Sequence, residues 1–550
     1  MAKKSIIRGN WPKYVLQWGV LAALVFFLSG LAVKIFPKLA PVNPEAYCPF
    51  GGLEALATYL QRASLPCSMT TVQIVMGVCL AAAVILLSKL FCAYLCPIGT
   101  IEDLLLKARR SLKINGMNIR SGSVADKILR IVKYALLFWI VYMTVSSSEL
   151  FCKNIDPYYA VATGFKGEIT LWMSLTALGI VLLLGFFINR FWCKYICPLG
   201  AISNTLKFWT WLLALVLLWW ALYALGLRVS WVWYLGSFCL LGYLLEIFNG
   251  RPKLQLMHVV LDEDHCGRSC YSCRKNCPYH IDIPSYGSVM NSVDCTLCGD
   301  CVAACPTKAL SIAVTPSGRT GWQKYIPPVF TALLLALALI FGGKFEIPTI
   351  SETWGVEEGM TLSTLRMEDV FSVKCYGSSM ALKARMEKVD GVHGVKTYVG
   401  SHTIVLSYDP SVISEDELRR QVFVPSRYKI AVPDPDAVPE LNVYTLRVEK
   451  MFDKLDLAYL GLQFKNEQKG VYGLESEYDC PVVVRVYVDP AFKPDADWFR
   501  QIVNRRQLVM TFSNGTQREF PMGLEFVRMN KEVETIPSGE FIERMSASSK

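Results

Sequence analysis

Histidine is nearly missing from this 550-residue chain, which has five: His258, His265, His280, His393 and His402. None falls in a long apolar run, which excludes a bis-histidine haem inside a bilayer, and no haem is expected. Charge is thin as well, at 19% of residues. The apolar runs carry little of it, which disfavours an ion path, since buried charges would mark one. No small-residue cleavage site clearly follows the first apolar run, so that segment reads as a retained helix. The net charge of +10 follows the loops between apolar runs. It therefore reads as a topological signal, and no nucleic-acid partner is expected.

Apolar residues are abundant at 53%, and they concentrate in the first 345 positions. Runs at 14–36, 72–91, 128–145, 171–187, 209–227, 231–248 and 325–341 are long enough to cross, or nearly cross, a hydrocarbon core of roughly 30 Å. The fold class is therefore a polytopic α-helical membrane protein with the lipid bilayer as its first partner. Arg130 and Lys133, near the start of the third run, are expected to snorkel to the interface. Lys3, Lys4, Arg8 and Lys13 at the N-terminus, and a basic series from Lys107 to Lys133, assign those segments to the cytoplasm. With seven spans, 251–324 is then cytoplasmic and the chain after 343 is external.

The first 200 residues read as a duplication (10–100 and 126–202). Cys92-x3-Cys96-Pro97-x-Gly99 recurs as Cys193-x3-Cys197-Pro198-x-Gly200. Cys48 precedes Cys92 by 44 residues and Cys152 precedes Cys193 by 41. A hairpin at 205–248 completes a membrane domain of 1–250 with about six helices. A cysteine-rich insert at 251–320 and a last span at 321–345 follow.

The insert carries the strongest chemical signal. Cys295-x2-Cys298-x2-Cys301-x3-Cys305-Pro has the spacing of a two-cluster bacterial ferredoxin. Cys266-x3-Cys270-x2-Cys273-x3-Cys277-Pro is one residue longer between its first two cysteines. In such a fold each run supplies three ligands to one cluster and its fourth cysteine to the other. Cys277, Cys295, Cys298 and Cys301 are then one [4Fe–4S] ligand set, and Cys266, Cys270, Cys273 and Cys305 the second. Zinc also uses paired cysteines, but eight in two runs, each closing on Cys-Pro, favour iron–sulfur. His265 reads as a surface histidine.

The expected topology puts Cys92, Cys96, Cys193 and Cys197 at the cytoplasmic ends of two spans. A pseudo-twofold repeat would bring them together as ligands of one or two further clusters. For Cys48 and Cys152 two readings stand. They are additional ligands if the Tyr47–Gly52 loop dips into the membrane, or Cys48 forms an external disulfide with Cys67. Cys79 and Cys239 read as packing.

Beyond the last span the composition becomes that of a soluble α+β domain. Strands are predicted at 371–374, 394–399 and 403–408, with helices at 380–388 and 415–422. The stretch from Ser401 matches that from Pro481 in pattern, with Asp409-Pro410 and Asp489-Pro490 offset by 80 residues. Two ferredoxin-like βαββαβ modules, 366–430 and 440–530, and a tail at 531–550 are expected.

The paired Cys-x3-Cys-Pro motifs, the two-cluster insert and a last span leading to an external domain resemble the NapH, NosR and CcoG (RdxA/FixG) family of membrane-bound polyferredoxins. Order and topology are most similar to the CcoG branch. The resemblance implies an iron–sulfur electron-transfer protein of the bacterial inner membrane, with a cytoplasmic electron donor. The acceptor it implies is a membrane quinone, or an external metalloprotein or copper ion. Copper reduction during cytochrome oxidase assembly, quinol-linked electron donation, and a redox-sensing assembly or regulatory factor are the roles it opens. The first C-terminal module is similar to heavy-metal-associated domains. Cys375 keeps the first thiol of their copper loop, but Ser378 replaces the second and Val373 the methionine. Cys375 alone is a poor copper ligand, so this module is expected to keep the fold without the metal.

Overall fold

The computed structural model describes residues 6–29, 31, 35, 47–62, 71–117, 119–147, 150–165, 169–227, 229–252, 254–267, 270–315, 321–342, 346–356, 360–370, 372–373, 376–467, 470–511 and 517–546. They divide into two compact units, one before residue 346 and one from 346 onward.

Among the described residues of the first unit, four helices are long and apolar enough to cross a membrane. These are Trp11–Leu28, Val124–Ser147, Trp231–Asn249 and Gln323–Gly342. The other three apolar runs differ from the expected full spans. Val72–Leu86 and Leu171–Phe187 are shorter, and Trp209–Ala224 is one arm of a pair bent by 89° against Pro198–Leu206. Polar anchors explain the first shortening. Ser88 and Lys89 turn the chain, donating to the Cys295 carbonyl (2.7 Å) and to the Asn204 side chain (2.7 Å). Helix Trp209–Ala224 buries no residue in the protein although it is apolar all round, as befits a helix in contact with lipid.

Arg130 and Lys133 do not snorkel. Both are buried, at 3% and 1% exposure, because acids on other elements meet them. Arg130 pairs with Asp126 (3.1 Å), Asp294 (2.6 Å) and Glu246, and Lys133 pairs with Glu246 (2.7 Å). Asp294 belongs to the cysteine-rich insert, so these pairs fasten that insert to the helices. The insert is built on a three-stranded antiparallel sheet with His258–Leu261 in the centre, flanked by Val289–Met290 and Leu310–Ala313. Val259, Val260 and Ile312 are buried in it.

The second unit holds two larger antiparallel sheets built to one plan, besides a two-stranded one of Gln507–Thr511 and Gln517–Pro521. The first has the order Ile350–Thr353, Val392–Tyr398, Thr403–Tyr408, Ser363–Met367. The second has the order Glu525–Met529, Glu440–Glu449, Val482–Val488, Val471–Glu477, Ser426–Lys429. Helices Tyr376–Met386 and Glu415–Val422 accompany the first sheet, and Lys454–Asn466 and Ala496–Val503 take the matching places in the second.

Three details depart from expectation. Of the strand predicted at 371–374, residues 371 and 374 lie outside the described residues and 372–373 are not in a strand; the edge strand of this sheet is Ser363–Met367, where Leu365 and Met367 turn into the core. Strand Ser426–Lys429 joins the second sheet and not the first. The polar tail at 531–550 is not a bare tail. Glu534–Pro537 pairs with Glu440–Glu449, and helix Ser538–Ser546 buries Phe541 completely against Tyr487, ring centroids 5.0 Å apart.

Phe541→Ala is expected to destabilise the second unit by about 3–5 kcal/mol, the usual cost of emptying an aromatic core site. Denaturant unfolding of the purified chain, followed by protection of the second sheet in hydrogen exchange, measures this. A truly disordered tail would give no change.

Candidate metal centres

The repeated motif has a local physical logic. Cys96 and Cys197 stand at the N-caps of helices Pro97–Ser111 and Pro198–Leu206, each with proline in the first turn. Proline suits that position because its missing N–H would be unpaired there anyway. The cap residues are extended, with φ −66°, ψ 120° at Cys96 and φ −61°, ψ 117° at Cys197. The glycine two residues past the proline permits close backbone contact. A Cβ on Gly99 would sit 2.7 Å from the Cys92 carbonyl oxygen, and one on Gly200 2.8 Å from that of Cys193. Cys-x3-Cys-Pro-x-Gly thus folds the first cysteine's carbonyl over the helix that the second cysteine caps. Two further segments enter in a similar way. Cys48 immediately precedes helix Pro49–Arg62, and Asp156 caps helix Pro157–Ala162.

All these segments meet at one cavity with about 860 Å³ of atom-free space. Cys48, Cys92, Cys96, Cys152, Cys193 and Cys197 line it, together with Asp156, Lys89, Tyr47, Tyr158 and Tyr279. The structure therefore brings Cys48 and Cys152 to the same place as the two Cys-x3-Cys-Pro pairs. Cys67, the alternative disulfide partner of Cys48, lies outside the described residues. Positive charge stands beside the thiols. Arg190 places Nη1 3.8 Å from the Cys193 sulfur, while its Nη2 pairs with Asp103 at 2.6 Å. The Tyr158 hydroxyl is buried without a hydrogen-bond partner.

Two smaller cavities lie in the insert. Cys277, Cys295, Cys298 and Cys301 line the inner one, and Cys266, Cys270, Cys273 and Cys305 the outer one. Short helices divide the ligands between them. Ser272–Asn276 carries Cys273 to the outer cavity and delivers Cys277 to the inner one, and Asp300–Ala303 carries Cys301 inward ahead of Cys305. The inner cavity is held against the membrane helices by hydrogen bonds to its own loop. Tyr94 donates to the Leu297 carbonyl (2.9 Å), Asn10 to that of Cys298 (2.7 Å) and Lys207 to that of Cys295 (2.6 Å). Buried Tyr279 lines both this cavity and the six-cysteine cavity. Lys89 and Arg190 approach its ring at 5.3 and 5.7 Å from the centroid.

The donor chemistry fits iron–sulfur clusters. Each cavity gathers four or more cysteines, and every cysteine among the described residues is a free thiol. No three His, Cys, Asp or Glu side chains among the described residues close around a single ion. His265 faces solvent and bonds to Asp262 at 3.0 Å. Cys239 is buried in helix packing, Cys79 lines a small apolar pocket, and Cys375 lies outside the described residues. Sequence reasoning missed Asp156, Tyr279, Lys89 and Arg190. For Asp156 a signal existed, since Cys152-x3-Asp156-Pro157 repeats the spacing of the paired motif.

Comparison with known proteins agrees with this chemistry. A 4Fe-4S binding domain family matches residues 69–115 and 170–210, the two segments carrying Cys-x3-Cys-Pro. A second 4Fe-4S binding domain family matches residues 289–311 in the insert. YccM of Escherichia coli K12 is 26% identical over 271 residues, 48% of this chain and 62% of that protein. NirI of Paracoccus denitrificans is 32% identical over 127 residues, 22% of this chain and 18% of its own length. The regulatory protein NosR of Stutzerimonas stutzeri is 30% identical over 138 residues, 24% of this chain and 18% of its own. The chain thus spans about three fifths of the first relative and under a fifth of the other two. No solved structure matches it.

The tight glycines give a direct check. Gly200→Ala should cost about 1–3 kcal/mol, as overpacking does, and lower the unfolding midpoint in detergent. Gly179→Ala, where a Cβ meets nothing within 4 Å, should leave that midpoint unchanged or raise it. Equal effects would show that close approach to the Cys193 carbonyl is irrelevant.

Proposed function

We propose, for a chain that belongs to the NapH/NosR family of membrane polyferredoxins, that its three cysteine cavities form a relay for single electrons between the insert and the membrane. In this reading Cys266, Cys270, Cys273 and Cys305 hold an outer cluster, and Cys277, Cys295, Cys298 and Cys301 an inner one. Cys92, Cys96, Cys193 and Cys197, joined by Cys48 and Cys152, hold one or two more in the membrane cavity. Iron–sulfur clusters bound there would supply one-electron transfer. The observation that carries the reading is Tyr279, whose side chain belongs to the walls of both the inner and the membrane cavity.

The protein's own residues tune and insulate that path. Burial of Cys277 and Cys301 keeps water from the inner set, while the outer set opens beside exposed Gly267, Pro306 and Thr307. That exposure makes the outer set the natural port for a soluble partner. Lys89 and Arg190 favour electron-rich, negatively charged states near Tyr279. By the positive-inside rule the N-terminus and insert are cytoplasmic, and the ferredoxin-like modules of the second unit are external. A membrane quinone or an external metalloprotein is the partner that this arrangement leaves for the other end. A second reading, a redox-responsive regulatory factor, draws on two relatives described as the regulatory protein NosR.

Iron per chain in anaerobically purified protein tests the relay. About twelve or sixteen irons are expected, against about eight if only the insert is loaded. Cys193→Ser should remove about four and leave the insert signals in place; an unchanged count would end the membrane assignment. Tyr279→Ala should slow electron exchange between the insert and the membrane cavity at constant iron, and Tyr279→Phe should preserve it. After reduction, reoxidation by a quinone supports the relay. Clusters that exchange electrons with no quinone or metalloprotein favour the regulatory reading.

A further inference from the structure

Three chain segments around the membrane cavity share one pattern, and one of them breaks it chemically. In Cys92-x3-Cys96-Pro97 and Cys193-x3-Cys197-Pro198 the capping residue is a thiol. In Cys152-x3-Asp156-Pro157 it is a carboxylate. The backbone of Asp156, φ −76° and ψ 110°, matches the extended caps at Cys96 and Cys197, and its side chain lines the same cavity. Placement therefore makes Asp156, and not Cys152, the counterpart of the helix-capping thiols.

Capping accounts for only part of the side chain. One oxygen, Oδ1, accepts the Tyr158 N–H at 2.9 Å. Asp156 shares the cavity wall with Cys48. Ser, Thr or Asn would cap as well without bringing negative charge into a cavity of six cysteines. A buried carboxylate is costly unless it is paired, protonated or bound to metal, and no Lys or Arg pairs with Asp156 among the described residues.

We propose that Asp156 is an oxygen ligand to iron in this cavity, completing a mixed set of thiolates and one carboxylate. The inference rests on the reading that the cavity's cysteines hold an iron–sulfur cluster. A carboxylate is a harder and weaker partner for cluster iron than a thiolate. The iron it holds is then chemically distinct from its neighbours, the first to exchange, and open to an incoming ligand.

The test uses full-length protein, purified anaerobically and loaded with 57Fe, read by iron analysis, Mössbauer spectroscopy and EPR. Asp156→Asn keeps the cap, since asparagine caps as well as aspartate, but removes the anionic ligand. It should lose about one iron per chain and show the EPR signature of a cluster missing one iron, with the insert signals unchanged. Asp156→Cys should retain the full count and convert the distinct Mössbauer site to an all-thiolate one. Wild-type iron, Mössbauer and EPR parameters in Asp156→Asn would overturn the assignment. Cys193→Ser separates the two levels. If it loses iron while Asp156→Asn does not, the cavity holds a cluster without Asp156. If neither variant loses iron, the cavity reading fails and the inference with it.

Discussion

Everything in the first unit depends on a layer of buried ion pairs where the helices meet the insert. Lys13 is fully buried between Asp103 (3.0 Å) and Asp300 (2.5 Å), so one ammonium ties the first helix to the Pro97 helix and to the insert. Arg130 does the same on the other side, joining its own helix to Glu246 and to Asp294. Removing one partner from such a pair strands a buried charge, at a cost of about 3–5 kcal/mol. Separating the insert from the helices would break several of these pairs at once. Burial opposes ionisation of Asp294, but Arg130, then Lys89 and Lys194, outweigh it and hold its carboxyl well below the usual range.

The cysteine spacing was legible because cluster ligands must come from short, tightly turning segments. The division of eight insert cysteines into two sets follows from that spacing alone, and the same two sets line separate cavities. The convergence of the paired motifs was legible only through the duplication, since nothing within Leu90–Ile101 says where its copy lies. The ion-pair layer was not legible. Arg130 and Lys133 sit in an apolar run like any interfacial base, and their partners Glu246 and Asp294 are more than a hundred residues away. The break in one apolar run was hidden for a related reason. A run such as 72–91 stays apolar through its turn, and the groups that turn it, Ser88 and Lys89, are bonded to distant residues. In the second unit the 80-residue offset was visible, but strand Ser363–Met367 was not. Its outward positions are polar, so that only Leu365 and Met367 speak for burial.

Helix starts give the membrane cavity its electrostatic character. Pro49–Arg62, Pro97–Ser111 and Pro198–Leu206 all begin at its wall, each directly after a cysteine. The first-turn N–H groups and the aligned peptide dipoles place partial positive charge at each start. Gly99 N–H points at the Cys96 sulfur at 3.5 Å, a bond to the thiol that the helix start itself supplies. Arg190 and Lys89 add full charges on the insert side. A cluster held there would gain from such surroundings, which would favour its reduced state over what burial alone would allow. The motif then has a single explanation. Proline opens the helix at the cysteine, glycine lets the preceding cysteine's carbonyl fold against it, and the helix turns its positive end toward sulfur. Duplication brings a second such helix start to the wall of the same cavity.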